Sequence, residues 1–190
     1  MVKPVDLSLT LVMSKTNGNN RMSAKKIPST VEEKLKALNL RLPEPIKTSP
    51  DMKMPPSWIR IRGNRAFISG HGPQNPDGSI AGPFGKVGSD DVTLEQGYQA
   101  ARLATLSILG TLKRGLRNLD RVSAWLMVNG FVNVAPGFTQ TTAVINGSSE
   151  LILELYGQDV GQHARTAMGV ATTPFGLPVI IAAEVEIDNK

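Results

Sequence analysis

Residues Thr93 to Leu116 carry an uninterrupted helical repeat, and that repeat restricts the fold more than any other part of the chain. Leu94, Tyr98, Ala101, Thr105, Ile108 and Leu112 recur at spacings of three and four, which gathers them on one helix face. Thr93 and Gln96 fit a capping box at its start, and Lys113, Arg114 and Gly115 suit the negative end of its dipole. A long helix with one apolar face needs a surface to cover. Val122 to Val128 follows it as a nearly continuous apolar run with Trp125, as expected of an interior strand.

The remaining segments can be placed around that pair. Trp58 to Arg62 alternates with period two, Gly63-Asn64 can turn, and Arg65 to Gly70 resumes an extended pattern, so 58–70 reads as a hairpin. Gly72 to Gly88 is broken by glycine and proline and reads as a loop, without the glycine spacing that cradles phosphate. A second helix is expected over about Phe138 to Tyr156, stopping at Gly157, with Ile145, Ser148, Ile152 and Leu155 on one face. Ala164 to Ala171 and Val179 to Ile187 read as strands separated by Pro174-Phe175-Gly176-Leu177-Pro178.

Upstream, Ser29 with Glu32 or Thr30 with Glu33 can cap a short helix that ends before Pro43. Pro43, Pro45, Pro50, Pro55 and Pro56 then exclude regular structure. The chain thus divides into a disordered or extended tail (1–27), a short helix with a proline-rich connector (28–57) and one α+β domain (58–190) with its helices on one face of the sheet. In the last strand Val179, Ile181, Ala183, Val185 and Ile187 form one side. Ile180 and Ala182 make the start of the other side apolar as well, so the face without helices is expected to meet a second copy of the chain.

Composition removes several chemistries. With no cysteine there is no disulfide, thiolate nucleophile or cysteine-held metal, and the two histidines have no acidic partner at ligand spacing, so neither metal nor cofactor is expected. No stretch approaches the 18 or more apolar residues of a membrane span. A soluble, cytoplasmic protein is expected, with organellar targeting by the tail left open. The net charge of +5 would suggest nucleic acid if it lay on the domain. Lys3, Lys15, Arg21, Lys25 and Lys26 place most of it in the tail, so nucleic acid is not an expected partner. From Val122 to Asn189, Arg165 is the lone Lys or Arg among six acids.

Phe67-Ile68-Ser69-Gly70, the long helix with Gln96 and Ala100-Ala101, Leu119-Asp120-Arg121-Val122-Ser123-Ala124, Ile145-Asn146-Gly147, Ala164-Arg165-Thr166 and the closing strand together resemble the Rid (YjgF-like) family, in its branch with the longer second-helix region. The resemblance spans roughly residues 58 to 188. It implies a chorismate-mutase-like α+β fold, a mixed sheet with two helices on one face, and a homotrimer whose sheets face a shared barrel-like centre. It also implies clefts between neighbouring subunits. Well-understood members hydrolyse enamines and 2-imino acids to 2-keto acids and ammonia; others are thought to bind small metabolites.

By the same resemblance the cleft arginine is Arg165, whose planar guanidinium can grip a carboxylate through two parallel hydrogen bonds. The alternative is a salt bridge to Glu184 or to a neighbour's carboxylate. Asn146 corresponds to a family asparagine near the interface, with a cap or interface hydrogen bond as its alternative. Ser69 and Gly70 correspond to backbone that lines the cleft. The glutamate that manages water in active deaminases is replaced by Ile180, and a cysteine common two residues after the arginine is Ala167. An isoleucine cannot move a proton, and loss of a general base costs roughly 10²–10⁴-fold in rate. His71, which stands where a glutamine is common, is the candidate catalytic substitute. The expectation is a homotrimer that binds a small carboxylate metabolite at Arg165, Asn146, Ser69, Gly70, Ile180 and Ala167, with weak or no deaminase turnover. The alternatives are an imine deaminase of different substrate range and, behind it, an RNA-acting protein.

Overall fold

The computed structural model describes residues 30–48 and 57–188. The expectations for the tail, for Ser29 and for part of the proline-rich connector lie outside the described residues. Thr30 opens α1 (Val31–Ala37) with a full capping box, its hydroxyl accepting from the Glu33 N–H while the Glu33 carboxylate accepts from the Thr30 N–H. Thr93 does the same with Gln96 for α2 (Leu94–Leu116). Both caps satisfy amide donors that a first helical turn leaves unpaired. The α2 helix ends on Arg117 in the left-handed region (φ 69°), and Gly115 stays within the helix, facing Ile59.

The expected hairpin forms β1 (Ile59–Arg62) and β2 (Arg65–His71). It is followed in the chain by α2, β3 (Val122–Asn133), α3 (Thr141–Gly161), β4 (Ala164–Val170) and β5 (Val179–Ile187). The five strands make one mixed sheet in the order β1-β2-β5-β3-β4, parallel only between β3 and β4. β3 is interior, as its apolar run requires, and it continues past Val128 to Asn133 because Gly130 and Phe131 pair on both sides. Gly130 belongs there for a steric reason: a Cβ would lie 2.4 Å from Cδ1 of Ile145 on α3.

Two boundaries of α3 differ from expectation. The helix starts at Thr141 rather than near Phe138, and it runs beyond Gly157 to Gly161, with Gly157 out of helical geometry at φ 76°. Glycine tolerates that conformation, so the chain bends there instead of stopping.

The core lies between the sheet and α2 and α3. Trp125, Ile108, Leu109, Leu112, Ile145, Ile152, Leu155 and Ile181 are among its fully buried side chains. Each such side chain contributes about 1.5–3 kcal/mol of transfer free energy. At the crossing of α2 and α3, Gly147 lies against the Tyr98 backbone so closely that a Cβ would sit 2.1 Å from the Tyr98 carbonyl oxygen. Among the described residues, the opposite sheet face carries no helix. Strand register groups Phe67, Ile180, Ala182, Phe131 and Met168 on it, with Met168 57% and Phe131 37% exposed. The same face holds the Arg65–Glu184 ion pair at 2.5 Å. Among the described residues, no helix is long and apolar enough to cross a membrane.

Candidate functional site

The β3–β4 register places Arg165 beside Val128, so its side chain rises on the helix-covered face and meets α3. Its Nη1 donates to Asn146 Oδ1 at 2.9 Å and to Ser149 Oγ at 3.1 Å. Asn146 and Ser149 are three residues apart on α3 and therefore neighbours on one helix face. Among the described residues, Nε and Nη2 of Arg165 have no acceptor, which leaves the edge of the guanidinium suited to a two-pronged grip on a carboxylate. Glu184 is not its counter-ion, because that carboxylate lies on the other face and pairs with Arg65.

Behind the arginine stands a second histidine. His163 Nδ1 lies 2.7 Å from the Gly161 carbonyl oxygen, which can only accept, so Nδ1 carries the proton. Nε2 is then the basic nitrogen, and the Ser149 hydroxyl donates to it at 3.0 Å. Burial holds His163 below the ordinary imidazole range; the Gly161 carbonyl pulls the other way, and the Arg165 charge adds to the depression. Ala167 follows Arg165 on the same face, opposite Gly130, and its carbonyl accepts from Thr141 at 3.0 Å. Ser149 escaped the sequence reading. Its spacing of three from Asn146 was the available signal, but its contact with His163 exists only because α3 returns into β4.

Ser69, Gly70 and Ile180 form a separate group. Ile180 presses so closely on Gly70 that a Cβ there would be 2.8 Å from Ile180 Cγ2, and the Ser69 hydroxyl donates to the Ser57 carbonyl at 2.8 Å. β2 and β4 are separated by β5 and β3, three strand spacings or about 14 Å. Ile180 also lies on the sheet face away from Arg165. Within one chain the two groups do not meet.

His71 is 4% exposed and points toward α2. Its Nδ1–H donates to the Ser69 carbonyl at 2.6 Å, and the Thr111 hydroxyl donates to Nε2 at 2.8 Å. Arg114 donates in turn to Thr111 at 3.1 Å, and the Trp58 ring packs 4.9 Å away. Burial pushes its pKa down to about 4, against the Ser69 carbonyl and with help from the Arg114 charge. A cavity of about 370 Å³, walled by Pro45, Ile46, Trp58, Ile59 and Arg114, opens beside it. His71 closes β2 and, like Ser69 and Gly70, lies away from the Arg165 cluster of its own chain. Among the described residues, no three His, Cys, Asp or Glu side chains gather as metal ligands.

A family model described as "YjgF/chorismate_mutase-like, putative endoribonuclease" matches residues 32–182. The chain belongs to this family. Protein TCP17 of Trypanosoma cruzi is 40% identical over 127 residues, which are 67% of this chain and 78% of that protein. The crystal structure of Atu1372, a protein of unknown function from Agrobacterium tumefaciens, is 36% identical with a TM-score of 0.72, covering 84% of this chain and 94% of that one. A "putative endoribonuclease" from Shewanella oneidensis MR-1 is 28% identical with a TM-score of 0.75, covering 84% and 100%. YjgF-family proteins are typically oligomeric and bind small molecules.

Proposed function

We propose that the chain is a homotrimer that binds a small carboxylate-bearing metabolite in clefts between copies. Arg165, Asn146 and Ala167 of one copy form one wall, and Ser69, Gly70 and Ile180 of the next form the other. The observation that carries this reading is the division of the two groups across the sheet, with the Nε and Nη2 edge of Arg165 lacking an acceptor among the described residues. A helix-free sheet face bearing Phe131, Met168 and Ile180 supports contact between copies. Ile180 offers no proton-moving group to that cleft, so hydrolysis of 2-imino acids is expected to be slow.

Isothermal titration with 2-oxobutanoate, a small 2-keto acid, tests the reading alongside a light-scattering mass. Arg165→Ala is expected to weaken binding roughly 10- to 100-fold, the worth of hydrogen bonds to a charged partner. Arg165→Lys keeps the charge without the fork and is expected to recover only part of it. Equal binding by wild type and Arg165→Ala, or a monomeric mass, would refute the proposal.

A further inference from the structure

A nucleophile, a base and an orienting group stand in hydrogen-bonding sequence beside Arg165. The Ser149 hydroxyl donates to His163 Nε2 at 3.0 Å, and the Gly161 carbonyl holds the Nδ1 proton at 2.7 Å, which fixes the tautomer with its basic nitrogen toward the serine. Arg165 donates to Ser149 Oγ at 3.1 Å, so a positive charge lies where negative charge would grow on that oxygen. Oγ has two lone pairs, and the guanidinium engages one of them. Ser149 and His163 are only half-buried. Asn146 presents Oδ1 to Arg165, which turns its amide nitrogen away from the guanidinium as a donor one helical turn from Ser149.

We propose that Ser149 is an activated nucleophile, with His163 as its general base, acting on small esters or thioesters that carry a free carboxylate. Ser149 Oγ attacks the acyl carbon and passes its proton to His163 Nε2. The carbonyl electrons move to the oxygen, which the Asn146 amide can meet. Collapse of that adduct expels the alcohol or thiol, which takes the proton back from His163. Water then attacks the acyl carbon as the same imidazole takes its proton; the bond to Ser149 Oγ breaks, His163 returns the proton to that oxygen, and the acyl group leaves as an acid. The carboxylate of the substrate lies on the Nε and Nη2 edge of Arg165, and this one element rests on the carboxylate-binding reading given above; the nucleophile does not.

The full chain is treated with an alkyl fluorophosphonate, which loses fluoride when a serine oxygen attacks phosphorus, and the adduct is located by peptide mass mapping. The expected result is one adduct, on Ser149, absent in Ser149→Ala. In His163→Ala and His163→Gln, both checked for native thermal midpoints, labelling is expected to slow roughly 10²–10⁴-fold. No adduct on Ser149, or unchanged labelling in both folded His163 variants, overturns the nucleophile. In parallel, wild type is given the 4-nitrophenyl monoester of succinate and the uncharged butyrate ester. A preference of tenfold or more in kcat/KM for the succinate ester is expected. Labelling without that preference keeps the nucleophile and refutes carboxylate recognition.

Discussion

Lowering the pH is expected to destabilise the fold through His71. In the native state its imidazole is buried, already donates to Ser69 and accepts from Thr111, and lies near the Arg114 charge. Protonation therefore waits until about pH 4, against 6.5 for a free imidazole. Above pH 6.5 the residue is neutral in both folded and unfolded chains and the difference vanishes. As the pH falls from 6.5 toward 4, the unfolded chain takes up a proton that the native state refuses, so stability drops across that window and levels off below it. At about 1.4 kcal/mol per tenfold change in proton affinity, the full loss is about 3 kcal/mol. Urea midpoints measured between pH 7 and pH ~4 at fixed protein concentration, for wild type and for His71→Gln, isolate the contribution. The variant starts lower at neutral pH but is expected to lose less on acidification. Parallel curves for the two proteins would refute the argument that His71 is held neutral by its surroundings.

Three further outcomes follow from the packing. Gly147→Ala forces a Cβ onto the Tyr98 carbonyl; overpacking of about 3 kcal/mol less about 1 kcal/mol of helix propensity gives a net loss of about 2 kcal/mol, read as a lower denaturant midpoint. A neutral substitution would contradict the close crossing of α2 and α3. Thr93→Ala removes the hydroxyl that accepts from Gln96 and is expected to cost about 1 kcal/mol by thermal unfolding; no loss would mean the cap contributes nothing. Phe131→Glu combined with Met168→Glu places charge on the helix-free sheet face and is expected to lower the light-scattering mass while helical content persists. An unchanged mass would remove that face as an interface.

Much of this architecture is readable locally. Both capping boxes, the hairpin turn and the alternation of β5 depend on residues within a few positions of one another, and each was legible in the sequence. What failed to show were features decided by a neighbour far along the chain. Gly157 looks like a stop, yet α3 bends there and continues; the strand expected over Val122 to Val128 runs on through Gly130, where Ile145 needs the space inside β3. The site divides in the same manner. Arg165 with Asn146 was readable through the resemblance, because each sits in a recognisable short motif. Ser149 was not, since its meaning comes from His163, fourteen residues on and brought back by the α3–β4 connection. The position of His71 depended on strand order, and alternation along one strand says nothing about which strand lies beside it.

That strand order has a consequence for how such a molecule would be inhibited or lost. On the reading proposed above, with Ser69 and Arg165 on strands three spacings apart, a solitary chain would own two incomplete halves of the ligand cleft. Dilution below the assembly constant would then erase ligand uptake while every helix and strand stayed intact. A small molecule that wedged the copies apart would silence the protein without resembling its ligand.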